Sequence, residues 1–330
     1  MSNIALTKIK GIPMMPDLGL GLPFIQGTIF HVKPYSGSDS NDGLHPDKAL
    51  KTLARAQTLA TADQNDVVLL YSESNTASLT TDYQSSTLSW AKDGVHLIGV
   101  GAPTRVAQRA RVAFDSTYDT ASNLFTLSAD NCVIKNIHFF AGVAGTNPTG
   151  CMKITGSRNY IENCHIAGIG NDNNDIADAY SLSISAGAEN TLRGCVIGLD
   201  TVSRGTAANS EIRLESGATR NIFEDCYVIT YAGANTHQFL LVPTNGLDRF
   251  TVFKNCLFIN MPTGDASGTT MTEAFDVTGG GSPDGIIILD GCTVYGATDW
   301  EAATVSGKVM IRTDGGAAAT AGLSADVAAS

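Results

Sequence analysis

No stretch of the sequence reaches roughly 18 consecutive apolar residues, the length a helix needs to cross a bilayer, which excludes a transmembrane helix. None of the seven cysteines forms a CxxC pair. An odd count without paired spacing points to a chain made in a reducing cytoplasm rather than to a disulfide framework. Charge is scarce, at 16% of residues, and of one prevailing sign, with a net charge of −11 and a pI near 4.9. That excess of acid argues against binding nucleic acid by neutralising phosphates and against attraction to an anionic membrane surface. The opening segment MSNIALTKIKGIPMMPDLGLGLPF carries lysines, but Pro13, Pro16 and Pro23 interrupt it and no small-residue cleavage site follows an unbroken apolar core. It reads as an arm rather than a signal peptide. Missing too are a GxSxG elbow, a phosphate-cradling Gly-rich loop followed by Lys and Ser or Thr, and a recognisable nucleophile–base pair.

What is present is an apolar content of 43% in 330 residues, enough for a substantial core, and 34 glycines, a sign of many turns. The organising feature is a repeat. VIKNIHF (133–139), YIENCHI (160–166), LRGCVI (192–197), FEDCYV (223–228), FKNCLF (253–258) and LDGCTV (289–294) align on one slot. That slot holds Ile137, Cys164, Cys195, Cys226, Cys256 and Cys292, separated by 27, 31, 31, 30 and 36 residues. Ahead of each slot stands a short polar pair, usually ending in Asn, Asp or Gly. A second apolar–polar alternation recurs upstream, in Met152–Ile154, Leu182–Ile184, Ile212–Leu214, Phe239–Leu241 and Phe275–Val277. Alternation of period two marks half-buried strands. The intervening turns TGSRN, SAGAEN and ESGATRN supply Gly and Asn, which tolerate left-handed backbone.

A unit of about 30 residues with no long helix cannot bury its own apolar face, whereas stacked copies can, each strand pairing with its equivalent one turn later. The expectation is an all-β, right-handed parallel β-helix of about eight turns, with the six slot residues forming an interior ladder. Unpaired cysteine packs as a small apolar group, and a single column does not offer the tetrahedral cluster that zinc requires. Beside the slot, Lys135, Glu162, Arg193, Glu224, Lys254 and Asp290 alternate in sign. On neighbouring strands this predicts an outer ion-pair ladder rather than a pair of catalytic carboxylates. His138 and His165 follow the slot on consecutive repeats and are placed to stack.

GSDSNDG (37–43) is dense in oxygen ligands but fails the calcium-loop spacing. Counting from Asp39, the fifth position is Gly43 and the twelfth Leu50, where ligands belong. It reads as a hinge into a capping helix near 46–60, with Pro46 in the first turn and Leu50, Leu53, Ala54, Ala56 and Ala60 as its apolar face. Asp172, Asp175 and Asp178, in the loop GNDNNDIADAY (170–180), are the remaining candidates for a hard cation, though a solvated turn explains them as well; no metal or cofactor is otherwise implied. The expected division is a docking arm over 1–27, carrying Met14, Met15, Leu18, Leu20, Leu22, Phe24 and Ile25, a β-helix over 28–312, and a small-residue tail over 313–330.

Phe30, Val32, Gly37, Asp39, Asn41, Asp42, Gly43, Pro46, Ala49, Thr52, Leu53 and Ala56 together resemble the N-terminal signature of pectate-lyase-like right-handed β-helix proteins, and within these a group of tailed-phage virion proteins. DGVHLIGVGAPTR (93–105) and SADNCVIKNIHFF (128–140) resemble the same group, and the similarity runs over about residues 28–295. Leu50 departs from it, since relatives often carry an aromatic residue there. The resemblance implies a non-enzymatic virion structural protein of a tailed bacteriophage, assembled in the host cytoplasm. Its role would be decoration of, or accessory attachment to, the head. Its partners would be copies of itself, as in a homotrimer, and the major capsid protein or neighbouring virion proteins. The alternative is a tailspike or tail-fibre receptor-binding protein that binds or depolymerises polysaccharide. A free polysaccharide lyase is a third reading, disfavoured by the missing secretion signal.

Overall fold

The repeats close into successive turns of one right-handed parallel solenoid. The computed structural model describes residues 27–312 apart from 120–121, 207–208, 262–267, 278–284 and 302–306, together with the backbone strands Thr7–Ile9, Ile12–Met14 and Leu323–Ala325. Along the middle of the shaft each turn contributes one strand to each of three sheets, which hold eleven, eight and seven strands in all. In one turn, Val133–Lys135 lies in the first sheet, His138–Ala141 in the second and Gly150–Ile154 in the third. Each then pairs in parallel with its equivalent a turn later: Tyr160–Glu162, His165–Ile169 and Tyr180–Ser185. The second sheet holds eight strands, from Thr81–Gln84 to Thr293–Tyr295, and the third holds seven, so the solenoid makes about seven complete turns against the eight expected.

The corner between first and second sheets explains the polar residue ahead of each slot. Asn136, Asn163, Gly194, Asp225, Asn255 and Gly291 all have φ between 49° and 66°, the left-handed region that Asn, Asp and Gly enter at least cost. The chain turns there in a single step, and the next residue points inward. Ile137, Cys164, Cys195, Cys226 and Cys256 are accordingly buried, while Cys292, nearest the C-terminal end, is half-buried. Each thiol from Cys195 on donates to a carbonyl of the preceding turn, as Cys226 does to Leu192 at 3.4 Å and Cys292 to Phe253 at 3.2 Å. Burial holds the Cys164 and Cys226 thiols well above their ordinary pKa, so the ladder is packing material.

The corner between third and first sheets departs from expectation. Asn159, Asn190 and Asn221 are not its left-handed residues; Arg158, Glu189 and Arg220 are, at φ 59°, 60° and 52°. The asparagines point inward and form a buried ladder. Asn190 Oδ1 accepts from the Asn159 amide at 3.0 Å, and Asn221 Oδ1 from the Asn190 amide at 3.0 Å. Their side-chain amides donate to the carbonyls of Ala129, Gly156 and Gly187. A buried amide with both ends satisfied fixes the register of successive turns.

Two expectations about strand and helix limits are corrected. In the third sheet Ile212 pairs with Leu240 rather than Phe239, and Leu240 in turn with Phe275; both Phe239 and Leu240 are buried, so their apolarity alone did not mark the register. The capping helix covers only Leu53–Leu59, preceded by the short 3₁₀ turn Pro46–Lys48. Leu50 lies outside the helix and bridges Val32. The helix starts late because Thr52 caps it, accepting from the Arg55 amide at 3.1 Å. Asp39 fastens that cap, accepting from the amides of Lys51 at 2.8 Å and Thr52 at 3.0 Å and from the Thr52 hydroxyl at 2.9 Å. GSDSNDG is thus a hinge whose first carboxylate seats the helix. The first sheet begins with Ile29–Val32, paired in parallel with Val67–Tyr71. Of the arm residues, Met14 falls in a described backbone strand, whereas Met15, Leu18, Leu20, Leu22, Phe24 and Ile25 lie outside the described residues, as does most of the tail.

Candidate functional site

The outward ladder on the first sheet is a structural feature. Lys135 pairs with Glu162, Arg193 with Glu224 at 3.6 Å, Lys254 with Glu224 at 2.8 Å and Arg312 with Asp290 at 2.7 Å. Every carboxylate in this column faces a cation, and none is set opposite a second carboxylate as glycoside hydrolysis requires.

Asp172, Asp175 and Asp178 do not converge. Asp175 clamps the next turn: its Oδ2 accepts from the amides of Gly205 at 2.9 Å and Thr206 at 3.2 Å, and its Oδ1 from Asn209 Nδ2 at 2.6 Å. Asp178 pairs with Arg213 at 2.8 Å, and Asp172 opens the 3₁₀ turn Asp172–Asn174. Among the described residues no group of three or more His, Cys, Asp or Glu is placed to hold a metal ion.

A polar cluster lies on the outer side of the third sheet. There the strands Gly150–Ile154, Tyr180–Ser185 and Ser210–Glu215 set Lys153, Ser183 and Arg213 side by side in register. Glu215 reaches across all three: it accepts from Ser183 Oγ at 2.6 Å, and it lies 3.5 Å from Arg213 Nε and 3.9 Å from Lys153 Nζ. Arg213 turns its other edge to Asp178. Tyr180 stands beside the cluster, its hydroxyl pushed up in pKa by burial and then by Glu215. Cations, carboxylates and hydroxyls alternate within one patch. Such a patch is suited to hydrogen-bonding a hydroxyl-rich chain, and Lys153 and Arg213 provide charge for a carboxylate on it.

Beneath the edge of this face, between second and third sheets, is a buried network. Glu211 is fully buried, as are Arg204 and His237 within about 1%. Its carboxylate pairs with Arg204 Nη1 at 2.8 Å and accepts from Thr230 Oγ1 at 2.7 Å and from Ser181 Oγ; His237 Nε2 lies 3.6 Å away. Burial alone would raise the Glu211 pKa, but Arg204, His237 and Ser181 outweigh it and hold the group down at about 2. Arg204 also donates to the carbonyls of Ala179 at 3.2 Å and Ser210 at 3.1 Å. The network ties three successive turns together.

Sequence reasoning missed this network. Glu211 sits in an ordinary alternating strand, SEIRLE, and its partners Ser181, Arg204, Thr230 and His237 are scattered over more than 50 residues. The one available signal was spacing: Ser181 and Glu211 are 30 residues apart, one turn. The stacking of His138 on His165 was legible from the same spacing, and their rings lie 4.7 Å apart and 6° from parallel.

No protein-family model matches the chain, and no curated protein sequence matches it. Solved structures do. Pectate lyase Pel9A superposes with a TM-score of 0.55 at 16% identity, over 83% of this chain and 64% of that one. A rhamnogalacturonan lyase superposes with a TM-score of 0.54 at 17% identity, over 82% of this chain and 68% of that one. The ORF18 protein of Geobacillus virus E2 aligns over 87% of this chain and 61% of that one, at 13% identity and a TM-score of 0.40, a distance at which likeness carries no functional argument. The shared feature is the fold, that of pectate-lyase-like parallel β-helix proteins. These likenesses overturn the expectation that the chain is not an enzyme. The fold it shares is that of two lyases, and its third sheet presents a polar, charged face.

Proposed function

We propose that this chain is a structural protein of a tailed-phage virion, attached to the head as a decoration or accessory protein. The observation that carries the reading is the resemblance of residues 28–295 to β-helix virion proteins, above all the signature around Asp39. The role of Asp39 in seating the Leu53–Leu59 helix gives that signature a physical purpose at the N-terminal end of the solenoid. The arm of residues 1–27 would dock on the major capsid protein or a neighbouring virion protein. Neither nucleic acid nor membrane is invoked, since the net charge of −11 opposes both. Mass spectrometry of purified particles tests membership of the virion. The chain should appear at a fixed ratio to the major capsid protein, and its absence from particles would sink the proposal.

A second reading is supported by the third-sheet face. A tailspike or tail-fibre protein that binds or cleaves an acidic polysaccharide would use Lys153 and Arg213 to hold uronate carboxylates. Host polysaccharide incubated with the protein should then be bound or shortened, and Lys153→Ala with Arg213→Ala should abolish this while the fold persists. Asp175→Ala is the wrong probe, because Asp175 clamps Gly205 and Thr206 and its loss would disturb the loop itself.

A further inference from the structure

Along most of the shaft arginine is paired. Every arginine from Arg158 to Arg312 faces a carboxylate. The run TRVAQRAR (104–111) differs: among the described residues Arg105, Arg109 and Arg111 form no ion pair. Arg105 serves as a fastening, stacked on the Tyr227 ring at 4.7 Å and donating to the Asp225 carbonyl at 3.2 Å. That leaves Arg109 and Arg111 as cations without an assigned counter-charge.

Arg111 stands on the outer side of the second sheet in register with His138, which is in register with His165. Its guanidinium stacks on the Phe140 ring at 4.3 Å. Gly142 and Gly170 leave room for that ring, since a Cβ at either would collide with it. The loop 101–110 roofs this row. The Ala107 amide donates to His165 Nδ1 at 3.1 Å, and Gln108 Nε2 donates to the carbonyls of Asn163 at 2.6 Å and Arg105 at 3.2 Å. Both amide protons of Gln108 are thereby used, and its Oε1 can only accept. Under the roof, Gln108 Oε1, Arg111 Nε and both ring nitrogens of His138 are buried without a hydrogen bond. Gln108 is 1% exposed and His138 5%. Buried polar atoms ordinarily find partners, and here donors and an acceptor are left over together.

We infer that Arg109, Arg111, His138 and Gln108 form a binding site for a small protonated oxyanion, and that inorganic hydrogen phosphate is the ion it takes. Two guanidiniums without carboxylates call for an anion. Arg111 Nε and a His138 ring N–H donate to its oxygens, whereas Gln108 Oε1 needs a donor from it. Hydrogen phosphate supplies that donor through its remaining O–H. Sulfate and carboxylates carry none near neutral pH, and a phosphomonoester, with a second pKa of about 6, has largely lost its own. Arg109 is exposed and lines an adjoining cleft with Ser74, Asn75 and Thr104, which gives the ion a way in. Glu73 borders the same cleft, but its carboxylate is taken by the Tyr35 amide at 2.6 Å and the Ser36 amide at 3.2 Å. A net charge of −11 draws no anion to the rest of the surface, so retention here depends on these four side chains.

The test is isothermal titration calorimetry of the full chain near neutral pH with sodium phosphate, sodium sulfate and glucose 6-phosphate at constant ionic strength. Arg109→Ala is titrated beside the control Arg55→Ala, an exposed arginine of the capping helix. Phosphate should saturate one site per chain, with sulfate and the ester weaker by at least about tenfold, or 1.4 kcal/mol. Arg109→Ala should weaken phosphate by a similar factor at unchanged circular dichroism, and Arg55→Ala should leave it unaltered. Absence of saturable phosphate binding, sulfate binding as tightly as phosphate, or Arg109→Ala binding like the wild type overturns the inference. A tighter ester would overturn the assignment to the free ion. Should the variant fail to fold, nitrogen NMR of the wild type decides. The His138 ring signals should move on addition of phosphate and not of sodium chloride at equal ionic strength, and signals that stay in place would overturn the site.

Discussion

His138 and His165 lie on consecutive turns of the second sheet with their rings stacked 4.7 Å apart and 6° from parallel. His165 accepts from the Ala107 amide through Nδ1 and is 3.1 Å from the Gly198 carbonyl through Nε2, which fits the neutral tautomer with its proton on Nε2. Burial lowers both pKa values, to about 2 for His138, where His165, Arg111 and Arg109 add to the effect, and to about 4 for His165, where Arg111 adds and Asp200 opposes. At these two sites the folded protein therefore binds fewer protons than the unfolded chain below pH 6.5.

The first prediction follows from that difference. Stability contributed by the neutral pair is complete above pH 6.5 and is lost as pH falls toward 4, by about 1.4 kcal/mol per pH unit for each histidine that protonates only on unfolding. Thermal melting between pH 7 and pH 4.5 should show the fall. His138→Phe keeps the stacked ring and removes one titrating group, so its melting temperature should decline more shallowly over the same interval.

Asp82 has the opposite sign. It points into the solenoid, buried, and its Oδ2 accepts from the Leu53 amide at 2.9 Å at the start of the helix. Burial raises its pKa to about 7 despite that bond. The folded state then holds a proton that the unfolded chain has already released, so stability falls as pH rises from about 4 to about 7. Asp82→Asn keeps an acceptor for Leu53 without the charge. It should match the wild type at pH 4 and exceed it at pH 8 by on the order of 1–3 kcal/mol in chemical denaturation.

The Arg204–Glu211 pair should show strong non-additivity. Arg204→Met leaves a buried carboxylate without its main counter-charge, and Glu211→Gln leaves a buried guanidinium, each costing about 3–5 kcal/mol. Arg204→Met combined with Glu211→Gln removes both charges and should cost clearly less than the sum of the two. A double-mutant cycle by urea unfolding measures it, and simple additivity would mean that the pair is not the centre of the network.

Thiol accessibility should follow position along the ladder. Cys292 is half-buried, whereas Cys164, Cys195, Cys226 and Cys256 are enclosed. Alkylation of the native protein, read by mass spectrometry, should mark Cys292 first and the inner four only once denaturant opens the solenoid.

The fold was legible in the sequence because its cause is periodic. A strand that pairs with its own equivalent repeats its environment every turn, so Cys164 to Cys292, the corner residues Asn136 to Gly291 and the charges Lys135 to Asp290 all recur once per turn. Features that depend on a single turn were not legible. The helix began at Leu53 rather than near Pro46 because Asp39 and Thr52 fix its start through side-chain bonds. In sequence the inward asparagines read as turn formers, because a left-handed Arg158 or Glu189 leaves no compositional mark. The Glu211 network stayed hidden for a related reason, since its members come from different turns and different corners and no local pattern unites them, whereas Lys153, Ser183 and Arg213 recur once per turn in the third sheet and only their contacts with Glu215 and Asp178 go unmarked.

The proposed attachment of this chain to a phage head is tested by cryo-electron microscopy of purified particles at a resolution that identifies side chains. Three-sheeted solenoids should stand at fixed positions on the capsid lattice, with residues 1–27 in contact with the shell. Solenoids found at the tail tip instead, or a head lattice without them, would contradict it and turn attention to Lys153, Arg213 and host polysaccharide.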